Sequence, residues 1–389
     1  MKIMMNQTCE HFGRCGGCKY LDIPYEQELS IKENTLIETL GEYGQFFKTL
    51  HPAPNVAGYR NKMELAFGDE GRDGKLALGM RKQRSFYEVA TPENCVLIPD
   101  DFKRVIMYVL EYFREHGEAF YHRKRHVGTL RHLVLRRGHF TGEILLNLVT
   151  TSSLATPLAS LVQGLNELTL DGTIVGFLHS VNDGVADVVK NENINLLYGR
   201  DYYNEKLCGL KFKVSAFSFF QTNSAGAEYL YGIVCGYALG ERYKGAHIAY
   251  DLYCGTGTIA QIISSHFDKV LGIELVEDAI KAAKDNAKLN GITNCDFYAG
   301  DVQDVIKEHP AAPDVVVIDP PRDGLHPKAL PHIIALNAPR LVYVACKPAS
   351  LARDLHLLAA AGYVVEKIEG MDMFPRTPHV EAIALLVKK

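Results

Sequence analysis

One stretch near the middle of the chain restricts the fold more than any other: His247-Ile248-Ala249-Tyr250-Asp251-Leu252-Tyr253-Cys254-Gly255-Thr256-Gly257-Thr258. An apolar run ends at Asp251, a glycine turn follows, and Ile259-Ala260-Gln261-Ile262-Ile263 opens a helix. Strand, glycine turn, helix is the first unit of a doubly wound α/β sheet. Glycine lets the backbone approach a ligand where a side chain would block it. A second apolar run, Val270 to Ile273, ends in Glu274. An acid at the tip of the second strand, about 20 residues downstream, is where such sheets hold a ribose. The turn is Gly-Thr-Gly-Thr and not G-x-G-x-x-G, which argues against a pyrophosphate. A nucleoside without phosphates fits better, and S-adenosylmethionine (SAM) is the obvious one.

The cadence continues to the C-terminus. Strands are predicted at Cys295–Tyr298, Val315–Ile318, Leu341–Ala345, Tyr363–Glu366 and Ala382–Val387, with a helix from Val276 to Leu289. Asp251, Glu274, Asp301, Asp319 and Cys346 then all fall at strand C-termini. That edge is the ligand crevice of an open α/β sheet. At 389 residues two domains are expected. The change of character at Ala216-Phe217-Ser218-Phe219-Phe220-Gln221-Thr222-Asn223 puts the boundary near residue 215, with a recognition region over 1–215 and a catalytic domain over 216–389. Residues 24–50 carry a helical pattern, and the segment after it reads as a small β-rich unit.

Three thiols cluster at Cys9, Cys15 and Cys18, with Cys95 beside Pro92 as a fourth. Converging thiolates need a cation, so a metal is implied, either zinc or an iron–sulfur cluster. A single C-x2-C knuckle tilts the choice toward iron–sulfur. Nine cysteines is an odd count, and residues 1–6 show no signal-peptide core. A disulfide framework is therefore disfavoured, and a cytoplasmic protein with no membrane span is expected. The net charge of −4 leaves nucleic-acid binding to local patches. The most basic is 121–139, with Arg123, Lys124, Arg125, Arg131, Arg136, Arg137 and four histidines. It is expected to contact RNA or DNA; a solvated face is the bland alternative.

Asp319-Pro320-Pro321 is similar to the signature of amino-group methylases, but Arg322 stands where those carry a stacking aromatic. The next strand tip offers Cys346 in Ala345-Cys346-Lys347-Pro348. Carbon 5 of a pyrimidine is too weak to take a methyl unaided. A thiolate added at C6 pushes electron density onto C5, and a base must then remove the C5 proton. A helix N-terminus and Lys347 are expected to lower the Cys346 pKa. Glu381 is preferred over His379 as the base.

These residues together resemble the RNA uracil-5-methyltransferase family, in particular its iron–sulfur branch acting on 23S ribosomal RNA. The resemblance is carried by Cys9-x5-Cys15-Gly-Gly-Cys18 with Cys95, Phe219 to Asn223, Asp251 to Gly257, Asp319 to Gly324, Cys346 to Asp354, and Asp372 to Glu381. It implies a class I, Rossmann-like SAM methyltransferase domain preceded by a smaller α+β RNA-recognition domain with an Fe–S loop. It also implies a [4Fe-4S] cluster on the four cysteines, Cys346 as nucleophile and Glu381 as base. SAM contacts are implied for Gln221, Tyr253, Glu274 and Asp319, and with them Thr258 and Asp301. The reaction implied is C5-methylation of a uridine in 23S rRNA, by a monomer. Alternatives are tRNA uracil-C5 or RNA cytosine-C5 methylation, and a non-catalytic RNA-binding assembly factor. The family usually reads Ser-Cys-Asn-Pro at the nucleophile, where this chain has Ala345 and Lys347. The N-terminal β-barrel of many relatives is expected to be absent, and tRNA-directed relatives often lack the cluster.

Overall fold

A computed structural model describes residues 9–71, 74–186, 193–240, 247–309 and 312–389. Residues 1–6, read above for the lack of an export signal, and parts of the 1–215 span lie outside the described residues.

Val315–Ile318 is the centre of an eight-stranded sheet. Four β-branched residues in a row, all buried, suit a strand covered on both faces. Across the sheet the strands run Phe47–His51, Tyr363–Met371, Glu381–Lys388, Arg340–Ala345, Val315–Ile318, Ile248–Leu252, Lys269–Glu274 and Cys295–Ala299. All neighbours are parallel except Glu381–Lys388, which is antiparallel to both of its own. Alternation along the strands divides the core in two. Ala249, Val315 and Val317 face helices Ser224–Leu239, Thr258–Ile263 and Glu277–Leu289. Tyr250, Leu252, Val316 and Ile318 face helices Leu330–Ala335 and Pro348–Ala360. The strand order reverses between Ile248–Leu252 and Val315–Ile318, and there the crevice opens.

A second sheet of seven strands occupies the earlier chain, in the order Val89–Ala90, Leu76–Arg81, Lys62–Asp69, Leu130–Arg137, Glu143–Thr150, Thr173–Val181 and Ile194–Gly199. Helix Asp100–Glu115 covers it, burying Phe102, Val105, Ile106, Val109, Leu110 and Phe113 at spacings of three and four. A hairpin, Tyr202–Leu207 with Leu210–Ser215, leads into the C-terminal half.

Two expectations change. The helix expected over 24–50 runs only from Tyr25 to Leu40. Gly41 leaves it at φ 58°, a 3-10 turn follows, and Phe47–His51 becomes a strand. That strand pairs in parallel with Tyr363–Met371 at the edge of the eight-stranded sheet. Leu36, Leu40, Tyr43 and Leu50 pack into the same core as Tyr250 and Ile318. Residues 25–51 thus belong with the C-terminal sheet, and the division is not a single break at 215. No helix among the described residues is long and apolar enough to cross a membrane.

Candidate active site

A cleft of about 1760 Å³ opens at the C-terminal edge of the parallel strands. Gln221, Tyr253, Thr258, Glu274, Asp301, Asp319, Cys346 and Glu381 all line it. Positions from 221 to 381 of the sequence therefore meet in one place.

The glycine turn forms one end. Gly257 sits at φ 71°, and a β-carbon there would come within 2.5 Å of the Phe297 ring, so the position needs glycine on two counts. Tyr253 is also left-handed, at φ 64°, and its buried hydroxyl has no hydrogen-bond partner. Asp251 is fully buried. One oxygen accepts from the Ala260 amide at 2.8 Å and the other is unpartnered. Burial pushes its carboxyl up to about 8. Buried polar atoms without partners are costly, and here two of them line a cleft rather than a packed core.

The acids do different work. Glu274 accepts from the Gly255 amide at 3.1 Å and from the Val276 amide at 3.1 Å, so it braces the turn. Asp301 caps helix Val302–Glu308, accepting from the Gln303 amide at 3.0 Å. Thr258 opens helix Thr258–Ile263, its hydroxyl 3.4 Å from that of Thr256. Gln221 accepts at its backbone carbonyl from the Asn61 side chain at 3.1 Å, and it lines the cleft together with Tyr231.

The other end of the cleft carries the thiol. Ala345 pairs with Ala382 across antiparallel strands, so Cys346 and Glu381 occupy the next register step. Glu381 is buried, 5% exposed, and burial together with the Asp319 charge pushes its carboxyl up to about 8, against the pull of Arg322. Burial likewise lifts Asp319 to about 7.

The expected lowering of the Cys346 pKa is not found. Burial raises it, Glu381 and Asp319 raise it further, and Arg322 opposes. Lys347 occupies the helix N-cap without a side-chain cap. Arg322 is the group that reading the sequence missed: there it registered only as an absent aromatic. Its placement is built in. Ser350, on the helix after Cys346, donates to the Arg322 carbonyl at 2.7 Å. Buried Asp354 accepts from the Leu325 amide and the Tyr343 hydroxyl, each at 2.7 Å. Tyr231 was also missed, because its spacing on helix Ser224–Leu239 is simply that of a core residue.

The four early cysteines line a second, small, mostly apolar cavity of about 50 Å³. Burial pushes Cys18 up to about 12, with Cys95, Cys15 and Cys9 adding to the effect, and raises Cys15 and Cys95 as well. Four such thiols cannot ionise together without a cation. Among the described residues no three His, Cys, Asp or Glu side chains converge closely enough to form a single ion's ligand set. A tetrahedral zinc with Zn–S of about 2.3 Å would need sulfurs about 3.8 Å apart. The four thiols share one cavity without forming that set.

The basic segment is corrected. Arg131 and Arg136 are buried. Arg131 gives its guanidinium to the Gly184 and Ala186 carbonyls and stacks 3.8 Å over Tyr121. Arg136 binds the Ala216 and Ser218 carbonyls at 2.9 and 2.6 Å. Arg137 pairs with Asp101 at 3.0 Å. Of the six cations only Lys124 and Arg125 are exposed. Leu130–Arg137 is a central strand, and its arginines secure carbonyls that the two halves leave open.

Comparison with known proteins agrees with this geometry. The profile of the family described as tRNA (Uracil-5-)-methyltransferase matches residues 185–389. A protein of Clostridium tetani described as an uncharacterized RNA methyltransferase is 46% identical over 384 residues, covering 98% of this chain and 84% of that protein. One of Caldanaerobacter subterraneus with the same description is 45% identical over 387 residues, covering 99% and 85%. Among solved structures, the Pyrococcus abyssi tRNA (uracil-54, C5)-methyltransferase in complex with S-adenosyl-L-homocysteine superposes with a TM-score of 0.80 at 28% identity, over 96% of this chain and 86% of that one.

Proposed function

This chain belongs to the tRNA (uracil-5-)-methyltransferase family and is an RNA methyltransferase, and we propose that it methylates C5 of a uridine using SAM. The observation that carries the reading is that Cys346 and Glu381, flanking the last pair Ala345–Ala382 of two adjacent strands, line one cleft with the nucleoside-binding turn.

Asp251, Tyr253 and Glu274, with Gln221, Thr258, Asp301 and Asp319, hold SAM; the unpartnered atoms of Asp251 and Tyr253 fit such a ligand. Bound there, SAM supplies an electrophilic methyl group. The target uridine leaves its stack to reach the cleft. Arg322 stabilises the Cys346 thiolate, which adds to C6 and makes C5 nucleophilic. After C5 takes the methyl, Glu381 removes the C5 proton, the C5–C6 double bond reforms and the thiolate leaves. Glu381 suits this step because, freed of its proton, a carboxylate raised to about 8 is a stronger base than an ordinary one. Cys9, Cys15, Cys18 and Cys95 hold a [4Fe-4S] cluster.

The four-cysteine set supports 23S rRNA as the substrate. Similarity to the Pyrococcus abyssi enzyme favours tRNA as the second reading. A trapping gel tests both. The protein is incubated with SAM and 5-fluorouridine-substituted 23S rRNA, or with similarly substituted tRNA. Fluorine at C5 cannot leave as a proton, so a Cys346 adduct should survive denaturation with one of them. No adduct with either, given SAM binding, would refute the mechanism.

A further inference from the structure

Glu381 opens its strand, and the chain reaches it through residues 372–380. Met373 and Val380 bury in the two cores of the C-terminal sheet, and most of the strap's hydrogen bonds to other segments come from residues 19–59. Buried Asp372 accepts from Lys32 Nζ at 2.7 Å and from the Tyr25 hydroxyl at 2.8 Å. The Phe374 carbonyl accepts from Lys32 at 3.2 Å. The Pro375 carbonyl accepts from the buried Tyr59 hydroxyl at 2.9 Å. The Met373 carbonyl, bound by the Asn223 side chain at 2.9 Å, is the exception.

Arg376 concentrates these links. It has a left-handed backbone, φ 69°, rare for a residue with a β-carbon and kept only where its surroundings over-determine it. Its carbonyl accepts from the Lys19 amide at 2.7 Å and the Tyr20 amide at 3.2 Å, directly after Cys18. Its own amide donates to Glu28 at 2.6 Å. Its guanidinium reaches the Ile23 carbonyl at 3.0 Å, the Tyr20 carbonyl at 3.3 Å and Glu28 at 3.4 Å. The cysteine loop is anchored at its other side, where the Arg14 carbonyl accepts from the Gln83 amide at 2.8 Å and His11 meets the Thr91 carbonyl at 3.0 Å.

We propose that the cysteine loop positions Glu381 through Arg376, which makes Arg376 a positioning residue for the proton-abstraction step. This rests on the reading of Glu381 as the base. Adding the thiolate and moving the methyl need Cys346, Arg322 and SAM, whose anchors lie elsewhere: Arg322 hangs on Ser350. The strap reaches the cleft at Phe374 and at Glu381, whereas the thiol, Arg322 and the glycine turn are carried by other segments. A misplacement of about 1 Å can cost about 100-fold in rate, so a loosened strap slows elimination more than the steps before it. The methylated RNA–Cys346 adduct then accumulates on ordinary uridine.

The experiment compares Arg376→Lys, Tyr59→Phe and Glu381→Gln with the unaltered protein, on the RNA that traps in the fluorouridine gel but without fluorine. Lysine keeps the charge but cannot reach two carbonyls and a carboxylate at once. Tyr59→Phe removes one hydroxyl and guards against a folding defect in the other variant. Denaturation-stable adduct, kcat and SAM affinity are read together. The expected result for Arg376→Lys and Tyr59→Phe is kcat lower by about 10- to 100-fold, adduct above the unaltered protein by about tenfold, and unchanged SAM affinity. If kcat falls with no rise in adduct, or neither variant changes kcat, the positioning role is refuted. If Glu381→Gln itself accumulates no adduct, the assignment of the base has failed instead.

Discussion

Replacing Glu381 by glutamine should make the protein more stable, by an amount that depends on pH. The carboxyl titrates at about 8 in the folded chain against 4.5 ordinarily, because burial and the Asp319 charge oppose its ionisation. Between those values the native state keeps a proton that the unfolded chain has released. Stability therefore falls as pH rises through this window, and the loss is absent below 4.5 and complete above 8. Each pH unit within it corresponds to about 1.4 kcal/mol. The loss is then about 3 kcal/mol at pH 7 and about 5 kcal/mol above pH 8. Glutamine has the same shape and no proton to lose. Glu381→Gln should thus gain about 3 kcal/mol at pH 7 and about 5 kcal/mol at pH 9, and nearly nothing at about pH 4.5. Urea unfolding reads this directly, as a midpoint shift at unchanged slope. Tyrosine fluorescence serves as the probe, since the chain has 20 tyrosines and no tryptophan. A gain that is missing at pH 9, or equal at pH 5 and pH 9, would refute the argument from burial.

Other expectations follow from neighbouring features. Because Cys346 and Glu381 must both ionise in the proposed mechanism and burial raises both, activity should keep rising with pH from 6 to 9 without a plateau; a flat profile over that range would count against it. Lys347→Asn should add about 1 kcal/mol by supplying the side-chain cap that helix Pro348–Ala360 lacks, seen as a higher melting temperature. Lys32→Met should cost about 3–5 kcal/mol, because Glu28 and Asp372 would lose the buried cation that contacts both at 2.7 Å; urea unfolding would show it. Arg131→Ala should lower stability, whereas Lys124→Ala with Arg125→Ala should leave it unchanged and weaken only salt-dependent RNA binding.

Motifs whose chemistry is local are legible in the sequence alone. Asp251 to Gly257 reads as a strand tip and glycine turn, which an ordinary βα connection also uses; Glu274 and the later strand tips turn it toward a ligand site. Cys346 stands out as a thiol at a strand end, and Cys9 to Cys18 as thiols too close to be casual. Charge runs are less informative. Arg131, Arg136 and Arg137 read as a solvated or RNA-facing patch, yet they lie on a central strand and are engaged by carbonyls and by Asp101. A cation's sign is visible in a sequence, but its solvent exposure is not.

The amino-acid sequence by itself determined the parallel sheet and the succession of polar strand tips, among them the thiol of Cys346 and the carboxylates of Asp251, Glu274, Asp301 and Asp319. These depend on periodicity and residue type, which a chain carries wherever it folds. Only the tertiary structure decided three other things: that residues 25–51 complete the catalytic sheet, that Arg322 rather than a helix end tempers the Cys346 thiol, and that Arg376 ties the cysteine loop to the approach to Glu381. Each joins residues far apart in the chain. Their burial, pKa and pairing are set by which surfaces meet, and hydrophobic periodicity says that a face is buried without saying against what.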